Sequence, residues 1–455
     1  MCKRMLVCIT VLLLVSATSF AAIGQFDATD DIGFPHSSQP YVHPGVVTYD
    51  AVEGDYHITA GGSDIWGNYD QFTYLYKSVT GNMRMTANYT WIDRGVNPND
   101  WGKAEAMLRY TLDPGSQHRS SALRAPHDWI GVQQRDSAGG GSGGWGDIWS
   151  AMPRPTGLGI ERIKYGSVDL ISPLYNRGAG WQKFGMNIRT GVPDTVYFGA
   201  AITSHGNDRW NLATVKVEDV VFADPLLSYP RVPKDAVTCV PDPTPGFRVR
   251  ALFVDDATGW GYDKMNALLD GLVPGHTTDV PTSRVVPYIN FHDSEGRGNF
   301  ELANGYPDMA FPGIDPLEDP DFGTDNPNGD ADDNFALEAI ACIHLTAGPH
   351  LFEINSDDGA IVKIGGYEVG RTTEWKGAGN EYILFSVEAE GNYPLQLRWL
   401  EGGGGAELEL HYILGDGTRI LLGDPRGPAV YVPEPATIAL LGLGGLSLLG
   451  SRRKH

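Results

Sequence analysis

The sequence predicts an all-β protein built from two β-sandwich, jelly-roll-like modules. Composition comes first: 58 Gly, 30 Pro and 10% aromatic residues favour many strands joined by tight loops over packed helices. Apolar residues also recur with a period of two along most of the chain, the spacing of half-buried strands. Length completes the case, because the roughly 410 residues left between the two termini exceed the usual single domain, so two domains of about 200 are expected.

The N-terminal element, residues 1–21, reads as a secretory signal peptide. Lys3 and Arg4 precede an apolar run from Met5 to Val15, and Ser19-Phe20-Ala21 offers a small-x-small cleavage site. The run is shorter than the about 20 apolar residues that a spanning helix needs.

The first module, residues 22–224, reads as strands throughout. Met83, Met85, Ala87, Tyr89 and Trp91 alternate with Arg84, Thr86, Asn88 and Thr90, and the turn Thr80-Gly81-Asn82 joins this run to the earlier one from Phe72 to Tyr76. The same period continues in Ala106, Leu108, Tyr110 and Leu112, and again in Val196, Phe198, Ala200 and Ile202. Residues 225–246 then carry six prolines with no apolar period and read as an extended, semi-rigid linker.

The second module, residues 247–425, has a strand opening near Phe335. Further strand patterns run over Leu351–Ile354, Val362–Ile364, Tyr382–Phe385, Tyr393–Trp399 and Ala406–Leu410. Its Cys342 and the linker's Cys239 are the cysteines that remain once the leader is removed. In an oxidising compartment they can pair, and closing a loop of that length is worth roughly 4–5 kcal/mol in the chain-entropy model. The sequence does not decide whether the sulfurs meet.

The last element, residues 432–455, has three parts: Pro433-Glu434-Pro435, an apolar stretch from Ala436 to Gly450, and the basic group Arg452, Arg453 and Lys454. It resembles the PEP-CTERM sorting tail of Gram-negative envelope proteins. That resemblance implies an exosortase-type enzyme of the inner membrane as a partner. As a helix the apolar stretch reaches roughly 22 Å, short of a hydrocarbon core of about 30 Å, which suits a transient anchor. The basic end would stay cytoplasmic, leaving the modules outside the inner membrane.

Without the five basic residues of leader and tail, 29 basic residues face 56 acidic ones, a net charge of −27. Such a surface repels nucleic acid and anionic lipid and favours hard cations, above all Ca²⁺ in an extracellular setting. Plain solubility explains the same charge.

Two further resemblances rest on motifs. Residues 64–72 (DIWGNYDQF), Lys103–Arg109 (KAEAMLR), the turn 113–116 (DPGS) and 196–205 (VYFGAAITSH) resemble concanavalin-A-like lectin/glucanase sandwiches, and more narrowly the "regulation of enolase"-type jelly rolls of undetermined activity. The second module, with Asn355-Ser356-Asp357-Asp358-Gly359 between strands, is similar to the lectin-like domain family named after protective antigen (PA-fourteen). In its sugar-binding members, two consecutive aspartates joined by a cis peptide bond chelate a Ca²⁺ that grips sugar hydroxyls. Asp357 and Asp358 fall on that position. The same residues also suit a simple turn, where Asp and Gly make the connection and no ligand is held.

Other patterns are weaker. The acidic run Asp325–Asp333 looks like a calcium loop but has Pro327 at a ligand position and no closing Glu. The stretch Gly139–Gly144 matches nucleophile-elbow and dinucleotide-loop expressions yet lacks the flanking strand and helix, so it reads as a flexible loop. No HExxH pair occurs, isolated histidines such as His205 read as packing or surface residues, and Glu105 and Glu161 stand alone rather than as a glucanase pair. Tryptophans crowd the first module. Trp91 falls on the apolar face of its strand, whereas Trp129, Trp145 and Trp149 fall in polar or glycine-rich stretches where they can stack on pyranose rings.

These readings favour an exported, non-enzymatic envelope protein that binds glycan or exopolysaccharide, with Ca²⁺ assisting through the second module. A matrix spacer without a small ligand and a glycan hydrolase are the two alternatives.

Overall fold

The structure, a computed structural model, describes residues 22–34, 44–206, 211–253, 258–273, 284–292, 309, 311, 335–403 and 406–434. The leader and the end of the tail, Pro435, Arg452 and Arg453 included, lie outside these residues, as does the acidic run Asp325–Asp333. Among the described residues no helix is long and apolar enough to cross a membrane. The chain is all-β and divides into two compact units. The first holds the residues up to Arg162 with Ile171–Asn187 and Val192–Asp224, and the second holds Ile163–Leu170, Ile188–Gly191 and everything from Pro225.

In the first unit a seven-stranded antiparallel sheet runs in the order Ala28–Ile32, Phe72–Thr80, Thr195–Thr203, Lys103–Arg109, His118–Arg124, Trp129–Arg135, Ser142–Trp149. A second sheet has Thr156–Tyr165, Met83–Asp93 and Ala213–Ala223 at its centre. Alternation makes the core: Ala104, Ala106, Leu108, Leu123, Ile130, Phe198 and Ile202 of the first sheet meet Met85, Ala87, Tyr89, Trp91, Ile160, Val215 and Val217 of the second. Trp91 is therefore core.

The turn Thr80-Gly81-Asn82 joins the two strands as expected but closes no hairpin, because Phe72–Thr80 and Met83–Asp93 belong to different sheets. Both strands have an apolar face, and placing them on opposite layers buries both. The glycine-rich stretch is not a free loop either, since Ser142–Trp149 is an edge strand that pairs with Trp129–Arg135. Ladder bonds use only backbone groups, so glycine opposite Gln133 and Gln134 is no obstacle.

In the second unit one sheet centres on Gly348–Asp357, flanked by Gly379–Val387 and Glu407–Ile413. The other centres on Phe335–Leu345, paired to Gly391–Glu401 over its whole length. Phe352, Ile354, Leu408 and Leu410 pack against Leu337, Ala339, Leu395, Leu397 and Trp399 to form the core. A short helix, Tyr262–Leu269, buries Tyr262, Met265, Leu268 and Leu269 against Leu252, Ala336, Ile361 and Leu400; their spacing is helical, but two turns are too short a run to stand out among strands.

The proline-rich segment is not a linker. Arg231–Val232 pairs with Gly379–Val387, Pro241–Pro245 pairs with Val430–Pro433, and Cys239 is bonded to Cys342 with Cα atoms 5.9 Å apart. Proline is tolerated because these strands lie at sheet edges, where a missing N–H breaks no central ladder.

Candidate functional site

Two groups of residues stand out, one in each unit. In the first, residues on the face of the seven-stranded sheet turned away from the core are mostly polar: Lys103, Glu105 and Arg109 on one strand, His118, Ser120 and Arg124 on the next, Gln133 and Arg135 on the third. The segment Gly61–Gln71 covers part of this face. Its Ile65 packs with Phe72, Tyr74, Met107 and Ala201, and its Asp70 takes ion pairs from Arg109 (2.7 Å) and Arg135 (2.6 Å), all three being fully buried.

What the segment leaves open is a cleft of about 540 Å³. Trp66, Trp101, Trp129 and Trp149 wall it, with Asp64, Lys103, Arg124, Gln133 and His205 between them. Trp66, Trp101 and Trp149 are 44%, 49% and 57% exposed. Trp101 and Trp149 stand nearly perpendicular, with ring centroids 6.4 Å apart. The Arg124 guanidinium lies over both, 4.7 Å from one ring and 4.6 Å from the other. Arg124 is held in turn by two hydrogen bonds to Asp128, of 3.0 and 2.7 Å.

At the other wall Lys103 Nζ donates to Asp64 Oδ1 at 2.6 Å and lies 5.3 Å over the Trp66 ring. His205 Nε2 is 3.2 Å from Asp64 Oδ2. Burial pushes the Asp64 carboxyl up, but the His205 hydrogen bond and the Lys103 charge outweigh it, and the group titrates below its ordinary range. Glu105 lies fully buried on the same strand as Lys103. With its amide oriented to suit its neighbours, Gln133 donates to Glu105 Oε1 (2.8 Å) and to the Ile65 carbonyl (2.9 Å), and accepts from Lys103 Nζ (3.2 Å). Burial pushes the Glu105 carboxyl up to about 8, so it is protonated at neutral pH.

The expected tryptophans divide. Trp129 and Trp149 line the cleft, although Trp129 begins a strand and is almost fully buried, its indole N–H without a partner. Trp145 does not line it; the Arg119 guanidinium sits 5.6 Å over its ring. His205 is a cleft residue rather than an isolated surface one. Glu161 is bound by Arg84 and Lys183. The sequence alone misses Trp66, Trp101, Lys103 and Arg124. Trp66 and Lys103 fall within the motifs that carry the sandwich resemblance, and Arg124 has a local signal in Asp128, four residues on and paired to it.

In the second unit Asp357 ends one strand and Asp358 leads into Ala360–Ile364 of the other sheet. The link between the aspartates is trans, with Asp358 at φ 34°, which corrects the cis expectation. A positive φ at Asp358 makes the turn without inverting the peptide, and Gly359 follows where a Cβ would lie 2.4 Å from the Tyr262 hydroxyl. The side chains nevertheless converge: oxygens of Asp357, Asp358 and Glu401 lie within 4.8 Å of one another.

Backbone amides serve these carboxylates closely. Asp358 Oδ1 accepts from Lys376 N (3.0 Å) and Oδ2 from Gly402 N (2.9 Å), Asp357 accepts from Asp358 N (3.0 Å) and Ala378 N (3.2 Å), and Glu401 Oε1 accepts from Gly403 N (2.7 Å). Burial and the neighbouring Asp357 raise the Asp358 carboxyl, against these amides and Lys376, which lower it. Gly402 approaches so closely that a Cβ there would meet the half-exposed Trp375 at 2.4 Å. Three hard oxygen ligands suit Ca²⁺ by type, yet the amides and Lys376 already offset much of their charge.

At the tail, Pro433 ends the last strand and Glu434 N donates to the Val240 carbonyl at 3.1 Å.

No curated protein sequence matches the chain. Solved structures that resemble part of it include a PA14 sugar-binding domain from an RTX adhesin, at 14% identity over 39% of this chain and 95% of that one, TM-score 0.28. The epithelial adhesin 9 A domain of Candida glabrata, in complex with Galb1-3GlcNAc, shows 13% identity over 46% and 98%, TM-score 0.30. A carbohydrate-binding module from Bacillus subtilis shows 13% over 39% and 91%, TM-score 0.26. Likenesses this distant leave the ligand to be decided by this chain's own geometry. Residues 432–454 match the PEP-CTERM protein-sorting motif, so the chain carries an export-linked sorting tail.

Proposed function

We propose that this is an exported envelope protein that binds glycan, and that the tryptophan cleft of the first unit is its binding surface. In this reading an exosortase-type enzyme recognises Pro433-Glu434-Pro435, the apolar tail anchors transiently in the inner membrane, and Arg452 and Arg453 stay on the cytoplasmic side. The observation that carries the proposal is the exposure of three tryptophans around one cavity. Large aromatic surface left in water is unfavourable unless a partner covers it, and indole faces suit the apolar faces of pyranose rings.

Binding is favoured over hydrolysis by the acids themselves. Asp64 is the carboxylate that lines the cleft among the described residues, and it is committed to Lys103 and His205. Glu105 is sealed beneath it. Glycoside cleavage needs two carboxyl groups flanking the bond, and no such pair faces this cavity among those residues. The net charge of the exported part argues against nucleic acid as a partner.

A second reading, Ca²⁺-assisted glycan binding at Asp357 and Asp358, is favoured by the convergence of these residues with Glu401 beside the exposed Trp375. The test is a glycan array followed by calorimetry. Trp149→Ala is expected to weaken binding at least tenfold, about 1.4 kcal/mol. Absence of any bound glycan would overturn the proposal.

A further inference from the structure

We propose that the tryptophan cleft is selective for uncharged pyranose units and discriminates against uronic acids and sulfated sugars. This rests on the glycan reading above and adds the ligand's charge class.

Charge within the cleft is already neutralised. Among the described residues two cations line it, and each is already matched. Lys103 is almost fully buried and donates to Asp64 at 2.6 Å. Arg124 is held in a two-bond fork by Asp128 and covered by the rings of Trp101 and Trp149. An anionic sugar gives up its hydration shell on entry and needs an unmatched cation in return. Lys103 cannot supply one without breaking its bonds to Asp64 and the Ile65 carbonyl, and the charge of Arg124 is already matched by Asp128, so an anion held there would compete with that carboxylate. A carboxylate entering beside Asp64 would also meet like charge.

A neutral sugar meets none of these costs. Its ring faces can stack on the exposed indoles, and its hydroxyls can donate to the remaining lone pairs of Asp64, which accepts at two fixed oxygens and is oriented by Lys103 and His205. Arg124, gripped by Asp128, fixes Trp101 and Trp149 as a right-angled corner, so the stacking surface is already in place before the ligand arrives. The protonated state of Glu105 beneath adds no charge to the floor at neutral pH.

Calorimetry on the purified full chain tests this, using neutral gluco- and manno-oligosaccharides beside oligogalacturonate and oligo-alginate of equal length, at 50 and 500 mM NaCl. Neutral ligands are expected to bind with less than a twofold change between the two salt concentrations, and the uronates at least tenfold more weakly. Trp149→Ala is expected to weaken neutral binding at least tenfold and to narrow the preference with it. Asp128→Asn frees Arg124 from its counter-charge and is expected to raise uronate affinity at least threefold while leaving the fold intact by circular dichroism. Uronates binding as well as or better than neutral sugars, or no gain in Asp128→Asn, would overturn the charge selectivity while leaving glycan binding in place. Neutral affinity unchanged in Trp149→Ala would remove the cleft as the site, and failure of every oligosaccharide would sink the glycan reading itself.

Discussion

The two sandwiches both bury charged groups but differ in what they leave in water. In the first unit Lys103, Glu105, Arg109 and Arg135 lie buried on the outer face of one sheet, beneath a covering segment and a cleft whose tryptophans remain in water. In the second, the acids at the turn between sheets are supplied with backbone N–H donors, the aromatic mass is packed inside around Trp399, and a disulfide secures the edge. A site poised for a ligand leaves surface uncovered, whereas a structural turn satisfies its own polar atoms. By that measure the first unit has the stronger claim to ligand binding, although its acids are the less conspicuous in the sequence.

The largest effect that can sharpen the contrast is covalent. Cys239 and Cys342 close a loop of separation 103 within the second unit, so reduction is expected to lower that unit's stability by roughly 4–5 kcal/mol. By calorimetry only one of two melting transitions should fall, by roughly 10–15 °C. Equal shifts in both would show that the units do not melt as separate bodies.

Next is Glu105. Its folded pKa is raised to about 8 from an ordinary 4.5, so the folded chain holds a proton there that the unfolded chain releases. The contribution to stability is therefore full below about pH 4.5 and is lost as pH rises toward and through about 8. Glu105→Gln, which cannot ionise, is expected to raise the stability of the first unit by a few kcal/mol at pH 8.5 and by little at pH 4. Denaturant titration at both pH values checks this, and a gain of equal size at both would mean that charge burial is not the cause.

The smallest effect concerns the acidic turn. If Asp357, Asp358 and Glu401 take up Ca²⁺, millimolar CaCl₂ added to EDTA-treated protein should stabilise the second unit by about 2.7 kcal/mol at one hundred times Kd. Asp358→Asn should remove the shift. An unchanged melting temperature on calcium addition leaves these residues as a turn and nothing more.

Much of the architecture was legible from local pattern. The alternation from Met83 to Trp91 predicts a strand with Trp91 inward, and the strand bears it out, because a period of two needs only neighbours in sequence to be read. The run of six prolines misleads for a related reason: composition reports the absence of an apolar period, while edge pairing depends on partners such as Val430–Pro433, nearly two hundred residues away. Asp357 and Asp358 were visible as a pair, but Glu401 reaches them only because Gly391–Glu401 runs beside Ala360–Ile364 in the same sheet.

From the sequence by itself came the sorting tail, the all-β class and the inward faces of the strands, each a property of consecutive residues and their hydrophobicity. Only the tertiary structure decided that Asp64, Trp66, Trp101, Arg124, Trp129, Trp149 and His205 share one cleft. Those residues are brought together by strand order and by a segment folded over a sheet, and strand order is set by packing between distant parts of the chain that no local period encodes.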